Sequence, residues 1–181
     1  SVTAKSELIH TAKYIPSVIE PAFGIGRIFY AILEHTYYVR PSKSGASSSK
    51  DDDEGRRAVF ALPVHLAPTK VAILPISNRS EFEPIQKDLQ RAAVQHNITT
   101  KIDSSSGSIG RRYARSDEIG IPFGITIDLQ TPTDNRVTIR ERDSMQQIRV
   151  DIAKAVPIIA QLAQGFTTWA EVYASNEQFS A

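Results

Sequence analysis

Apolar and polar positions divide the chain into three stretches. In the first, residues 18–22 read as a strand, and a helical apolar stripe over roughly 25–39 follows, carried by Ile28, Phe29, Ala31, Ile32 and Leu33. A lone strand–helix unit cannot bury both of its faces, so residues 1–40 call for a larger sheet. The second stretch, 41–57, reads Pro-Ser-Lys-Ser-Gly-Ala-Ser-Ser-Ser-Lys-Asp-Asp-Asp-Glu-Gly-Arg-Arg. It is small, polar and charged, and without apolar side chains it cannot offset its ordering entropy, so it reads as a low-complexity insertion or linker.

From 58 onward short apolar runs alternate with helical periods. Residues 71–76 predict a strand. A helix follows over about 81–96, with Ser80 as N-cap and Pro84 in its first turn. Residues 98–103 alternate like a strand, and 104–108 form a serine-glycine loop. A helix over about 108–118 is stopped by Gly120 and Pro122. Two strands, 123–129 and 136–142, are joined by Thr131-Pro132-Thr133-Asp134-Asn135, a hairpin signal. Ser144 is expected to cap a helix over about 145–163, with Gly165 beyond its end, and Trp169 opens a last short helix. The order βαβαββα predicts an α/β fold, a mixed sheet with helices packed on it.

Composition narrows the function classes. The 181 residues are 41% apolar and 23% charged, ordinary for one medium domain plus extra segments. With no cysteine there is no disulfide framework, thiolate nucleophile or Cys-based zinc site. No run of about 18 apolar residues predicts a membrane span. The start, Ser-Val-Thr-Ala-Lys-Ser-Glu, has no signal-peptide character and no methionine, which predicts a piece of a longer protein. His10, His35, His65 and His96 show no ligand spacing or triad pattern, so no metal site is expected. Asn97-Ile98-Thr99 matches a glycosylation sequon by chance.

Net charge is +1, but its placement is uneven. Lys101, Arg111, Arg112 and Arg115 cluster against a single acid, Asp103, and further arginines stand at 136, 140, 142 and 149. Clustered rather than net charge is the footprint of nucleic-acid binding. Asp117, Glu118, Glu141 and Asp143 lie close enough for the same arginines to form intradomain ion pairs instead.

Residues 18–27, Val-Ile-Glu-Pro-Ala-Phe-Gly-Ile-Gly-Arg, carry the most specific chemistry. An extended run enters a Gly-x-Gly turn that delivers Arg27 to the first turn of a helix. Glycines there allow close backbone approach, a helix start favours anions, and a guanidinium can bind phosphate or stack on a base. This is the outline of a nucleotide site. The decapeptide resembles motif 3 of the class II aminoacyl-tRNA synthetases, in the variant of the eukaryotic-type glycyl-tRNA synthetases. Two further blocks follow in family order. One is Lys101-Ile102-Asp103 with Ser105-Ser106-Gly107-Ser108-Ile109-Gly110-Arg111-Arg112-Tyr113-Ala114-Arg115-Ser116-Asp117-Glu118-Ile119-Gly120; the other is Thr138-Ile139-Arg140-Glu141-Arg142-Asp143-Ser144-Met145-Gln146-Gln147-Ile148-Arg149. Both are similar to the C-terminal anticodon-binding domain of that family. The resemblance covers most of the chain and fails only around 42–57.

The resemblance implies three regions: a C-terminal piece of the catalytic domain (1–40), an insertion (41–57) and an anticodon-binding domain (58–181) with a mixed five-stranded sheet. It implies that Arg27, with Gly24 and Gly26, binds ATP, and that Glu20 holds the amino group of glycine, these two being the catalytic residues contributed here. Ala22 stands in the glycine site where the family usually has a serine, so that hydroxyl is missing. ATP, Mg²⁺, glycine, tRNA-Gly and a homodimer belong to the longer enzyme, in a cytoplasmic setting with the mitochondrion as a second. Motifs 1 and 2 are absent, so this portion alone is expected to be inactive in aminoacylation. Glycine anticodons end in two cytosines, whose N4 donors suit carboxylates and whose O2 and N3 acceptors suit arginine. The candidate readers are Asp103, Arg111, Arg112, Arg115, Glu118, Arg140 and Arg142, with Asp117 complementary in charge and Tyr113 and Phe123 as stacking platforms. Arg111 and Arg115 share a helix face, and Arg140 and Arg142 a strand face. The competing readings are a stand-alone RNA-binding module and a protein-interaction domain whose basic clusters are incidental.

Overall fold

The fold is built on strands whose core-facing residues are almost all β-branched, and on the helices that cover them. The computed structural model describes residues 1–8, 10–40 and 57–179. After an exposed segment without helix or strand, helix α1 (Ile25–Thr36) runs directly into β1 (Tyr37–Arg40), which pairs antiparallel with β2 (Arg57–Phe60). Then come β3 (Val71–Pro75), α2 (Phe82–Gln95), β4 (Thr100–Ile102), α3 (Ile109–Glu118) and β5 (Phe123–Ile127). The single turn α4 (Thr131–Asp134), β6 (Arg136–Glu141), β7 (Gln147–Asp151), α5 (Ile152–Gln164), α6 (Trp169–Ser175) and β8 (Glu177–Phe179) complete it.

The main sheet has the order β4-β3-β5-β6-β7-β8, with β3 parallel to both β4 and β5 and every later pair antiparallel. Side-chain alternation splits it into two unlike faces. On one face Val71, Ile73, Ile125, Val137, Ile139, Ile148 and Val150 meet Phe82, Leu89 and Ala93 of α2 and Val156 and Ile159 of α5, forming the main core. Each such large side chain contributes about 1.5–3 kcal/mol on burial. On the other face α3 lies over a small cluster of Ala72, Leu74 and Ile121, joined by Ile109 and Tyr113. Farther along that second face the strands present Thr126, Thr138, Arg140 and Arg149, all buried.

The expected mixed α/β sheet is present, with six strands rather than five. Several local expectations are corrected. Residues 18–22 form no strand; among the described residues nothing pairs with them and their side chains are exposed. The first helix ends at Thr36, because Tyr37–Arg40 pair with Arg57–Phe60. Arg57 therefore belongs to a strand, while the rest of the low-complexity stretch lies outside the described residues. Glu81, not Ser80, occupies the α2 N-cap, without a side-chain cap bond. Ser144 caps no helix. Its N–H and hydroxyl donate to Glu141 Oε2 at 2.7 and 2.6 Å in the turn from β6 to β7, where Met145 takes φ 59°. Residues 147–151 form a strand that buries Ile148 and Val150, and the helix starts only after Asp151. The hairpin signal at 131–135 is one helical turn ended by Asn135 in the left-handed region, φ 56°.

Tyr113 crosses closely over β5. Gly124 makes this possible: a Cβ there would sit 2.7 Å from Tyr113 Cε1. The ring is held in place, since its hydroxyl bonds Thr126 Oγ1 and the Arg140 guanidinium stacks on it 4.5 Å from its centroid. Gly124→Ala should therefore destabilise the domain by about 1–3 kcal/mol in urea unfolding. Much of the loss should be recovered by adding Tyr113→Leu; equal stability of Gly124→Ala and wild type would show that the ring has room.

Candidate nucleic-acid interface

Helix α3 carries most of the candidate residues and divides them. Ser108 caps its start, accepting from Arg111 N–H at 3.4 Å. Its outer face presents Arg111, Arg115 and Glu118 at spacings of four and three, all exposed, and its inner face presents Arg112 and Asp117, both buried.

The inner arginine is structural. Arg112 Nη1 donates to the carbonyls of Pro75 at 2.6 Å and Asp103 at 3.1 Å, and Nη2 to Ile76 at 3.4 Å, tying the helix to the ends of β3 and β4. Arg140 is likewise occupied: Nη1 and Nη2 bond Asp117 Oδ1 and Oδ2 at 3.0 and 3.1 Å, beneath the Tyr113 ring. Arg142 donates to the carbonyls of Gly120 and Leu62, each at 3.0 Å, and to Asp143 at 2.8 Å. The expectation that Arg112, Arg140 and Arg142 face RNA is therefore corrected, since all three are nearly inaccessible and bonded inside the domain. Phe123 is buried too, against Trp169. Tyr113 is used internally rather than as an open platform.

Asp103, at the end of β4, stands with the outer face. Its Oδ1 accepts from the Ser105 N–H at 3.0 Å and hydroxyl at 2.6 Å, and its Oδ2 from Arg115 Nη2 at 2.9 Å. Arg115 Nη2 also donates to the Ser105 hydroxyl. Burial pushes the Asp103 carboxyl up, but the Ser105 bonds and the Arg115 and Arg112 charges overcome this and hold it below the usual carboxylate range. The Arg115 side chain is 52% exposed and that of Asp103 17%. Both border an open cavity of about 220 Å³ between β4 and α3, lined also by Lys101, Ile102, Ser104 and Ile119. A carboxylate and a guanidinium thus stand side by side at its mouth, with an exposed lysine below.

The residues of the other candidate site lie apart from this one. Glu20, Ala22, Gly24, Gly26 and Arg27 are all exposed. Gly24 N-caps α1 with extended backbone, and its carbonyl accepts from the Arg27 and Ile28 N–H groups at 2.9 and 3.0 Å. The Gly-x-Gly turn at a helix start is thus present, with Arg27 in the first turn. Helix geometry leaves the earliest N–H groups open to an anion.

The internal roles of two arginines were not read from the sequence. Arg40 donates from Nη1 to Asp117 Oδ2 at 3.0 Å and from Nη2 to the Arg142 carbonyl at 2.7 Å, buried. Arg149 bonds Asp128 at 2.5 Å and Asp134 at 2.8 Å across the polar sheet face. Only the alternation of Gln147–Asp151 could have hinted that Arg149 points away from the core.

The comparisons with known proteins agree with this architecture. The profile described as an anticodon binding domain matches residues 70–162. The chain belongs to that family. Over 173 residues, 95% of its length, it is 44% identical to a glycine–tRNA ligase of Drosophila melanogaster, and over 180 residues, 99% of its length, 41% identical to one of Bombyx mori. A mitochondrial glycine–tRNA ligase 1 of Saccharomyces cerevisiae is 38% identical over 170 residues, 94% of the chain. The chain spans only 21% to 23% of the length of these relatives. The fold is shared with a prolyl-tRNA synthetase of Cryptosporidium parvum, at TM-score 0.55 and 22% identity over 59% of this chain and 23% of that one. The anticodon-binding match starts just before β3, and the match to the ligases extends back across α1 and the β1–β2 pair.

The two kinds of arginine should separate by stability. Arg142→Met leaves two buried carbonyls without donors and should cost about 2–5 kcal/mol in chemical unfolding. Arg115→Ala removes an exposed pair and should cost under about 1 kcal/mol. Comparable losses would contradict the division of α3 into inner and outer faces.

Acid should expose the polar sheet face. Burial raises Asp128, but the hydrogen bond from Arg149 and those from the N–H groups of Gln130 and Thr131 hold it below its ordinary value. The folded state therefore binds its proton less readily than the unfolded chain. Its stabilisation is complete above the unfolded value of about 3.9 and is lost as pH falls through the lower folded value. Stability measured between pH 6 and pH 3 (roughly spanning that range) should fall less steeply for Asp128→Asn than for wild type; parallel curves would refute it.

Proposed function

We propose that this chain is the C-terminal part of a glycine–tRNA ligase and that its own activity is to read the anticodon of tRNA-Gly. The observation that carries the proposal is the pairing of a half-buried Asp103 with an exposed Arg115, both lining the cavity between β4 and α3. A cytosine edge offers an N4–H donor beside N3 and O2 acceptors. Asp103 can accept from the first and Arg115 can donate to the others, so the two residues match one cytosine once they exchange each other for the base. The bond from Ser105 keeps the carboxylate in place during that exchange. Lys101 and the outer-face Arg111 are placed to meet phosphates, and Glu118 extends the same face. Anticodon loops present unstacked bases, which is the form a shallow, open cavity can accept.

For the longer enzyme, the proposed reaction is ATP-dependent activation of glycine and its transfer to tRNA. Arg27 and the open N–H groups at the start of α1 fit the negative charge of a triphosphate, and Glu20 fits the ammonium of glycine. ATP, with Mg²⁺, supplies the activated phosphoryl chemistry. Residues 20–27 contribute charge and a close-approach turn but no enclosure, since each is exposed. A homodimer and a cytoplasmic or mitochondrial setting belong to this same reading; the mitochondrial part of it is in line with the name of the Saccharomyces cerevisiae relative.

Binding of tRNA-Gly should be compared with tRNAs altered at each anticodon cytosine, for wild type, Asp103→Asn, Arg115→Ala and Lys101→Ala. Asp103→Asn or Arg115→Ala should reduce discrimination at one cytosine by about 1–3 kcal/mol. Lys101→Ala should weaken all the tRNAs alike and lower the salt dependence. If the first two variants keep the wild-type preference at both cytosines, this cavity is not the base reader.

A further inference from the structure

We infer that Arg40, in the strand that leaves α1, is a positioning residue for the base-reading cavity and acts through Asp117. The inference rests on the anticodon-reading proposal above. Three elements converge on one carboxylate. Arg40 of the hairpin meets Asp117 Oδ2 at 3.0 Å, Arg140 of β6 takes both oxygens at 3.0 and 3.1 Å, and Asp117 itself belongs to α3. All three side chains are buried, so solvent neither screens the charges nor supplies a substitute partner. Arg40 also donates to the Arg142 carbonyl at 2.7 Å, and Arg142 holds the Gly120 carbonyl just beyond α3. The hairpin is thus bonded both to the last turn of α3 and, through Arg142, to the segment that follows it.

Asp117 stands two residues after Arg115 on the same short helix. Any rotation or slide of α3 that changes the Asp117 position also moves Arg115 relative to Asp103, which is fixed on β4 through Ser105 and the Ile73 carbonyl. The other end of the linkage is α1, joined to the hairpin without a break. Its end is pinned by the Ala61 N–H on the Thr36 carbonyl at 2.7 Å and by the Tyr37–Phe60 ring contact. The candidate nucleotide turn and the candidate base reader are therefore joined through a continuous helix–strand run whose buried end is Arg40. Without Arg40, Asp117 keeps Arg140, so the carboxylate is not orphaned and the domain stays folded, while α3 loses its outer anchor.

The test uses the 181-residue chain and an RNA hairpin with the glycine anticodon loop, alongside hairpins in which each anticodon cytosine is replaced by uracil. Wild type, Arg115→Ala, Arg40→Met and Arg40→Lys are compared. Arg40→Met should cut the cytosine preference by about 2- to 30-fold. Its affinity for the uracil hairpins, carried by phosphates, should stay within about 2-fold of wild type. If Arg115→Ala relaxes the preference and Arg40→Met retains it, Arg40 does not position the reader. An equal loss on every hairpin would mean general damage and would also overturn the inference. Failure of Arg115→Ala to change the preference would instead remove the base-reading proposal, and this inference with it. Should Arg40→Met not fold, Arg40→Lys decides by the same criteria: it keeps the charge but cannot reach Asp117 and the Arg142 carbonyl together.

Discussion

A single buried carboxylate organises the second face of the sheet. Asp117 is 2% exposed and faces two arginines, Arg40 and Arg140. Taking three charged groups out of water costs several kcal/mol per ion, and such clusters are often no more stabilising than an apolar replacement of the same shape. Their geometry is far more restrictive, however. Hydrophobic contacts tolerate a sliding helix, whereas a bidentate guanidinium–carboxylate pair accepts one arrangement. The Asp117 cluster therefore accounts for the register of α3 on β5 and β6 better than for the magnitude of stability. The main core, with Ile73, Ile125, Ile139 and Ile148 on the opposite face, supplies the latter.

The alternation of β6 and β7 explains why so many arginines are unavailable to a ligand. Val137, Ile139, Ile148 and Val150 face the core, which sends Thr138, Arg140 and Arg149 to the other side. There the strands have no covering apolar helix beyond α3. Long side chains, their acids and the Tyr113 ring form the cover instead, with Arg149 reaching Asp128 and Asp134 and its guanidinium 5.9 Å from the Phe179 ring. Charge that looks like a nucleic-acid footprint in the sequence is here largely the roof of the sheet. What remains exposed is the outer face of α3, beside the end of β4.

The elements of regular period were legible from the chain alone. β3, α2, α3, β5 and α6 lie close to where apolar spacing and Gly or Pro stops put them. β7 was not, because five alternating residues directly precede a helix whose apolar stripe overwhelms them, and Pro157 sits inside that helix without ending it. The β1–β2 pair escaped because its partners lie on either side of the low-complexity stretch. The site was half legible. That Arg111 and Arg115 share a face follows from helical spacing, but the partners of Arg112, Arg140 and Arg142 do not. Two of the Arg142 acceptors are backbone carbonyls at positions 62 and 120, and a carbonyl leaves no signature in residue type.

The contrast between the two candidate sites follows from the same physics. In the α/β domain the four inner strands β3, β5, β6 and β7 have neighbours on both edges, and the site residues are held by bonds that can be named. In α1 no residue is buried, and Ile25, Phe29 and Tyr30, with Phe23 just before the helix, present apolar surface to solvent. Contiguous exposed apolar surface of this kind marks a contact face. The relatives that match across this segment are more than four times longer than the chain. Among the described residues, much of the apolar surface of α1 is thus left uncovered. The hairpin after it is the opposite case, with Arg40 fully committed to the domain. The passage from one to the other is a continuous helix–strand run: α1 has no buried residue, whereas Arg40, four residues past its end, is bonded to Asp117 and the Arg142 carbonyl.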